Sequence, residues 1–264
     1  MDLELKDKVA VISGGSIGIG SAIAEGFARE GAHVALCARG AERLQARAQE
    51  LSSTYHIRAI GVPTDVSKAE DIERFVEKIK QELGGADFLI NNAGTGSNET
   101  ILEAPDEKWQ FYWDLHVMAA VRLARALVPL MRERGGGVIL NNASICASQP
   151  LWYEPIYNVT KAALVMLSKT MSNEFIPYNI RVNAVNPGLV LTPDWLKTAT
   201  QLTQGTGRTP QDYLDEVAAA HTPTKRFASP EEAANLFVFL CSPRASYCVG
   251  ATYYIDGGML KVIT

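Results

Sequence analysis

The sequence predicts a doubly wound α/β fold, a seven-stranded, mostly parallel sheet with helices on both faces, and three observations predict it. Short runs of β-type residues alternate with longer stretches of helical period along the chain. The short runs are apolar throughout, as strands buried on both faces are. No Pro/Gly/Ser-rich linker or shift of composition divides the 264 residues, and a 47% hydrophobic content over that length suffices for one large core.

The elements follow in order. VAVIS (9–13) is the first strand, and helical period resumes over 18–30. HVALCA (33–38) precedes a helix over 41–52, RAIGVP (58–63) one over 68–83, and DFLIN (87–91) a long one over 107–132. GVILNN (137–142) leads to a helix over 157–175, then to the strand IRVNAVN (180–186). TYYID (252–256) is the last strand. The helix over 230–241 is announced by SPEE (229–232), with a serine N-cap, proline at the first helical position and glutamate at the third. Between Asn186 and Ser229 the alternation fails: about forty residues hold one modest helical stretch, 209–221. An irregular excursion of that length is either a lid or disorder, and Leu189, Val190, Leu191, Trp195 and Leu196 favour a lid, placed at about 188–228 of a single domain spanning 1–264.

Dispersed charges summing to −4 leave no electrostatic footprint for nucleic acid or an anionic membrane. The opening MDLELKDKVAV has neither the basic region nor the long apolar core of a signal peptide, and no uncharged stretch reaches membrane-spanning length. Cys37, Cys146, Cys241 and Cys248 show no Cys-x-x-Cys spacing and the four histidines are scattered, which argues against a metal site and for buried free thiols in a reducing cytoplasm.

After the first strand comes SGGSIGIG (13–20), opening a helix. Gly14 serves the tight turn, Gly18 the close approach of backbone to a phosphate, and Gly20 the packing of helix on sheet, so that a pyrophosphate sits on the helix N-terminus. The next strand ends CARG, with uncharged Ala38 and then Arg39. With no acid to take ribose hydroxyls and a guanidinium to bind a 2′-phosphate, NADP(H) is expected over NAD(H). The bland reading of Arg39 is a surface arginine beside a turn.

YNVTK (157–161) puts Tyr157 and Lys161 one turn apart on one helix face. A free tyrosine, with a pKa of about 10, is a sluggish acid–base group at neutral pH, and a nearby ammonium favours the phenolate. That pair can pass a proton to or from an alcohol oxygen while a nicotinamide moves the hydride. Of nine tyrosines only Tyr157 has a lysine at +4, and Ser144, just past GVILNN, can reach the same carbonyl oxygen.

Seven stretches in order, SGGSIGIG, TDVS (64–67), NNAG (91–94), NNASICA (141–147), YNVTK, NPG (186–188) and YIDGG (254–258), make the chain resemble the short-chain dehydrogenase/reductases over essentially its full length. The resemblance implies a Rossmann-type fold and an enzyme interconverting a ketone and a secondary alcohol, with Tyr157 as general acid in reduction and base in oxidation. It implies that Ser144 hydrogen-bonds the substrate oxygen and that Lys161 binds the nicotinamide ribose and lowers the tyrosine's pKa. Asp65 falls at the adenine with the backbone of Val66 beside it, its bland reading being a turn or capping aspartate. Ser13, Gly14, Ser16, Gly18 and Ile19 of the phosphate loop, and Asn91, Ala93 and Gly94, fall along the cofactor, although Asn91 is equally suited to supporting the sheet. Pro187, Gly188, Val190 and Thr192 flank the nicotinamide and phosphates, Pro187 and Gly188 being suited also to a plain turn. A homotetramer, small carbonyl or alcohol substrates and no nucleic-acid or membrane partner complete what is implied.

Two positions depart from the family's pattern. Ser13 stands where threonine is usual and keeps the hydroxyl. The family's catalytic asparagine aligns with His116, in DLHVM (114–118), on the apolar stripe of Ala120, Leu123 and Leu127. That asparagine acts largely through its backbone carbonyl, so a distorted helix would tolerate histidine; alternatively the imidazole joins the relay, or the enzyme is weakened or redirected. A dinucleotide-binding regulatory or scaffold protein is the alternative from another class. The pocket mouth falls to 95–100, 145–156 and 188–222, where Trp152, Tyr153 and Trp195 suggest a partly apolar wall and 3-oxoacyl, sugar or polyol, and steroid substrates stay open.

Overall fold

The computed structural model describes residues 2–97, 99–150 and 154–262. Seven strands form one parallel sheet: β1 (Val9–Ser13), β2 (His33–Ala38), β3 (Ala59–Pro63), β4 (Phe88–Asn91), β5 (Gly137–Asn142), β6 (Ile180–Pro187) and β7 (Thr252–Ile255), in spatial order β3-β2-β1-β4-β5-β6-β7. The helices between them are α1 (Gly18–Arg29), α2 (Ala41–Tyr55), α3 (Ala69–Leu83), α4 (Asp106–Trp113), α5 (Ala119–Glu133), α6 (Pro155–Phe175), α7 (Pro193–Thr203), α8 (Pro210–His221) and α9 (Pro230–Cys241).

The continuously apolar strands are apolar because both faces are covered. On β1, Ala10 and Ile12 enter a core shared with α1, α2 and α9, centred on Phe27, Leu44 and Phe237. Val9 and Val11 enter the opposite core with Ile72, Phe75 and Ile79 of α3, Leu123 and Leu127 of α5, and Met171 of α6. The expected α/β order thus stands, with strand ends within a residue of the sequence reading.

Two departures from expectation concern helices. The span 107–132 is interrupted: α4 and α5 are joined by a π-turn, Asp114–Met118, in which the Ala119 amide donates to the Asp114 carbonyl. Local distortion at DLHVM is therefore built into the fold. The 188–228 excursion holds two helices where one was expected, because Pro193 at the first position and Asp194 in the first turn start α7, and Ala199 and Thr203 bury one of its faces. The expected start of α9 is present as a full capping box, Ser229 with Glu232.

The connection from β1 leads outward to β2, whereas β4 pairs on the other side of β1, so the strand order reverses between β1 and β4. Ligands of doubly wound sheets bind outside the carboxyl ends of the strands at such a reversal.

Candidate active site

At the reversal the turn after β1 is held from beneath. The Ser13 hydroxyl accepts from the Asn92 and Ala93 amides at 2.9 and 3.0 Å, and the Asn92 amide group donates to the Ser13 and Gly14 carbonyls. Ser13 is thus buried as a tie between β1 and β4, which is why serine serves where threonine is usual. Gly14 (φ +68°) and Gly18 (φ +58°) occupy the left-handed region. A Cβ on Gly14 would lie 3.0 Å from the Ala93 Cα, and one on Gly20 would overlap the Gly14 carbonyl. The N-cap of α1, Ile17, places no side chain over the first amides, which stay free to meet an anion; Ser16 and Ile19 flank it half-buried. Thr192 lies 3.6 Å from where a Gly18 Cβ would be, which brings the start of α7 to the same turn. Beyond β2, Arg39 is exposed and no carboxylate ends the strand. Open amides and a glycine cradle fit a dinucleotide, with the Arg39 guanidinium exposed at the end of β2.

Several expected cofactor residues have other attachments as well. Asp65 Oδ1 accepts from the Ser67 amide and hydroxyl, a turn role, while Val66 is buried. Asn91 donates to Asn141 Oδ1 at 2.7 Å, a link across the sheet, and leaves its own Oδ1 buried without a partner among the described residues. Pro187 ends β6 in the ladder, and a Cβ on Gly188 would lie 2.8 Å from the Asp256 Cα, so glycine is there for close packing. Val190 bridges to Ala228, fastening the root of the excursion.

Around the catalytic candidates the geometry is tight. Lys161 is buried on α6 and donates to the Asn142 carbonyl at 2.8 Å, with its Nζ 5.3 Å from the Tyr157 ring centre. Burial pulls its pKa down to about 8. Ser144 caps the short turn Ile145–Ala147, accepting from the Cys146 amide at 3.2 Å. Ile145 and Cys146 pack with Leu189 and Met259 against Tyr157, Trp195 and Phe227, forming an apolar wall. Trp152 and Tyr153, also expected there, lie outside the described residues.

His116, on the π-turn, is 2% exposed and enclosed by this group. Its ring meets Tyr157 edge to face at 5.6 Å between centres. The Thr95 amide donates to Nε2 at 3.3 Å, so that nitrogen is unprotonated; Nδ1–H then donates to Thr160 Oγ1 at 2.8 Å, and the threonine hydroxyl donates on to the Ile156 carbonyl at 2.9 Å. Desolvation, with the Lys161 ammonium second, holds its pKa down at about 2. At neutral pH the imidazole is an uncharged strut.

Sequence reasoning missed Glu154. It precedes α6 with φ +64°, and its carboxyl faces Gly96 closely enough that a Cβ there would overlap Oε1. Burial raises its pKa to about 7. A glutamate in an irregular loop has no periodicity to betray it; the left-handed turn that aims it inward is visible only in three dimensions.

The profile of the family described as enoyl-(acyl carrier protein) reductase matches residues 14–260. L-sorbose reductase from Gluconobacter frateurii, solved with NADPH and L-sorbose, superposes with a TM-score of 0.98 at 63% identity, covering 100% of both chains. The uncharacterized oxidoreductase YvrD of Bacillus subtilis is 35% identical over 266 residues, 99% of each chain. Dehydrogenase/reductase SDR family member 4 of Bos taurus is 36% identical over 262 residues, 97% of this chain and 88% of that one. The chain belongs to the short-chain dehydrogenase/reductase family and is an NAD(P)-dependent oxidoreductase of carbonyl and alcohol groups.

Proposed function

We propose that this enzyme interconverts a ketose and the corresponding polyol with NADP(H), Tyr157 acting as general acid and base. The observation that carries the chemistry is the clustering of Tyr157, Lys161 and His116: a Cβ on Gly94 would lie 3.0 Å from His116 Nε2 and 3.6 Å from Lys161 Nζ, and the Tyr157 ring packs against both residues. Two things support the ketose: the Gluconobacter frateurii relative solved with L-sorbose, and the half-buried Glu154 carboxyl beside Gly96, an acceptor for hydroxyl donors. NADP(H) is supported by exposed Arg39 and by the NADPH in the same relative.

When bound, the cofactor supplies or accepts a hydride at the substrate carbon. In the reducing direction Ser144 donates a hydrogen bond to the carbonyl oxygen, and the Tyr157 hydroxyl delivers the proton that turns the developing alkoxide into an alcohol. Oxidation reverses the transfer, the phenolate taking the alcohol proton. Lys161, buried beside the tyrosine ring, stabilises the phenolate electrostatically. His116 serves the catalytic group as a neutral support, fixing the loop after β4, at Thr95, to α6 through Thr160. The excursion at 188–228, rooted by Val190 and Ala228, serves as a lid over the pocket. A homotetramer fits the apolar side chains exposed on α4 and α6, Phe111, Trp113, Val159 and Met166. The free cysteines suit a cytoplasmic location.

The test is a panel of L-sorbose, D-fructose, 3-oxoacyl thioesters and oxosteroids, each run with NADPH and with NADH. Ketose reduction with NADPH is expected, abolished in Tyr157→Phe while nucleotide binding persists. Turnover of the thioesters alone refutes the substrate assignment, a preference for NADH refutes the Arg39 argument, and an active phenylalanine variant refutes the mechanism.

A further inference from the structure

The π-turn carrying His116 is a locally unfavourable geometry, so something must hold it. Eight residues of uninterrupted α-helix overshoot two full turns by about 80° at 3.6 residues per turn, which would leave Asp114 and Arg122 on different faces. The wider π-turn absorbs roughly one residue more and brings the two into line. There Arg122 Nη2 donates to Asp114 Oδ1 at 2.8 Å, while Gln110 donates to Asp114 Oδ2 at 2.8 Å. The other guanidinium nitrogen, Nη1, donates to the Ser67 carbonyl at 2.8 Å. Ser67 ends the Asp65–Val66–Ser67 turn, itself held by the Asp65 amide donating to Asp71 Oδ2. One planar fork therefore joins the π-turn beneath the catalytic group to the turn expected at the adenine.

We propose that Arg122 is a positioning residue that registers the adenine end of the cofactor site against the catalytic π-turn. The guanidinium suits this because its donors are fixed in one plane; a lysine, with a single mobile head, cannot hold both acceptors in a set geometry. Asp114 is the clamp on the turn itself, and the Ser67 contact is the link to the nucleotide. The inference rests on the reading of the site as a dinucleotide-dependent one, and it gives the two contacts different kinetic consequences.

The experiment compares Arg122→Met, Asp114→Ala and the double variant in the full enzyme, with kcat and cofactor KM measured separately. Arg122→Met is expected to lower kcat about tenfold at saturating cofactor and to raise cofactor KM severalfold. Asp114→Ala is expected to lower kcat comparably with cofactor KM nearly unchanged, since the Ser67 contact survives. The double variant should be no slower than Arg122→Met, because both remove one clamp. Additive losses, or a kcat within twofold of wild type in either single variant, overturn the proposal. Should Arg122→Met fail to fold, the kcat of Asp114→Ala decides alone. If the wild type reduces no carbonyl at all, the functional reading fails, yet the ¹⁵N shifts of His116 still decide this one. They should report a pure Nδ1–H tautomer in wild type and a mixture in Arg122→Met, and an unchanged tautomer overturns it.

Discussion

Replacing His116 separates the two ways in which a histidine can serve this site. In the structure it makes two hydrogen bonds, a short one to Thr160 and a longer one from the Thr95 amide. Neutral hydrogen bonds contribute about 0.5–1.5 kcal/mol each, so losing both amounts to about 1–3 kcal/mol. If that energy holds the catalytic groups in place, it converts to roughly 5- to 150-fold in rate, at about 1.4 kcal/mol per factor of ten. His116→Leu, similar in bulk and without polar atoms, should fall in that range. His116→Asn ends near the position of Nδ1, so it retains the Thr160 bond and loses only the contact to Thr95, and its loss should be about tenfold or less. The Thr160 hydroxyl keeps its bond to the Ile156 carbonyl in either variant, which limits the penalty. The assay is kcat against pH from 5 to 9 for all three proteins. With the imidazole pKa held at about 2, the histidine stays neutral across that range, and its ionisation leaves no step in the wild-type profile. A wild-type inflection between pH 6 and 7 that vanishes in both variants would show the imidazole transferring protons, and the strut argument would be wrong.

Three further outcomes follow from the same geometry. Gly94→Ala puts a methyl 3.0 Å from His116 Nε2 without straining the backbone, so kcat should drop about tenfold while the melting temperature shifts by only a few degrees; wild-type kcat would contradict this. Lys161→Met abolishes turnover but should stabilise the cofactor-free protein at pH 7, by a net ~2 kcal/mol once the lost Asn142 bond is offset. The sign is set by the depressed lysine pKa. Between pH 8 and 10.5 the unfolded chain binds a proton that the folded one does not, so wild-type stability recovers and the gap narrows. Denaturant midpoints at pH 7 and 10 check this, and an equal gap at both would refute it. Glu154, held near 7, is ionised above that pH, so ketose KM should fall as pH rises from 6 to 8 and be flat in Glu154→Gln; coincident profiles would remove Glu154 from the substrate site.

What could be read from sequence divides along physical lines. Strands buried on both faces must be apolar along their whole length, so β1, β4 and β5 were legible to within a residue, and the capping box of α9 was legible because caps are local chemistry. The glycine turn and Tyr157–Lys161 were legible for the same reason, since their spacing is fixed by one turn of helix or loop. A stripe of apolar residues identified His116 as buried, yet helical period alone makes it indistinguishable from a core residue. Its meaning depends on Thr95, Thr160 and a π-turn, partners 21 and 44 residues away that no local pattern announces. In the excursion the helix at 209–221 was legible but α7 was not: α7 buries only a narrow face, too little for periodicity to separate it from loop. Glu154 and Arg122 fall in the same class as His116. Each acts through a geometry, a left-handed residue or a helix with one extra residue in its turn, that exists only once the sheet has set its surroundings. A residue's chemistry here is local, but its role is decided by what the fold brings opposite it, which is why the sequence discloses the reaction class before it discloses the substrate.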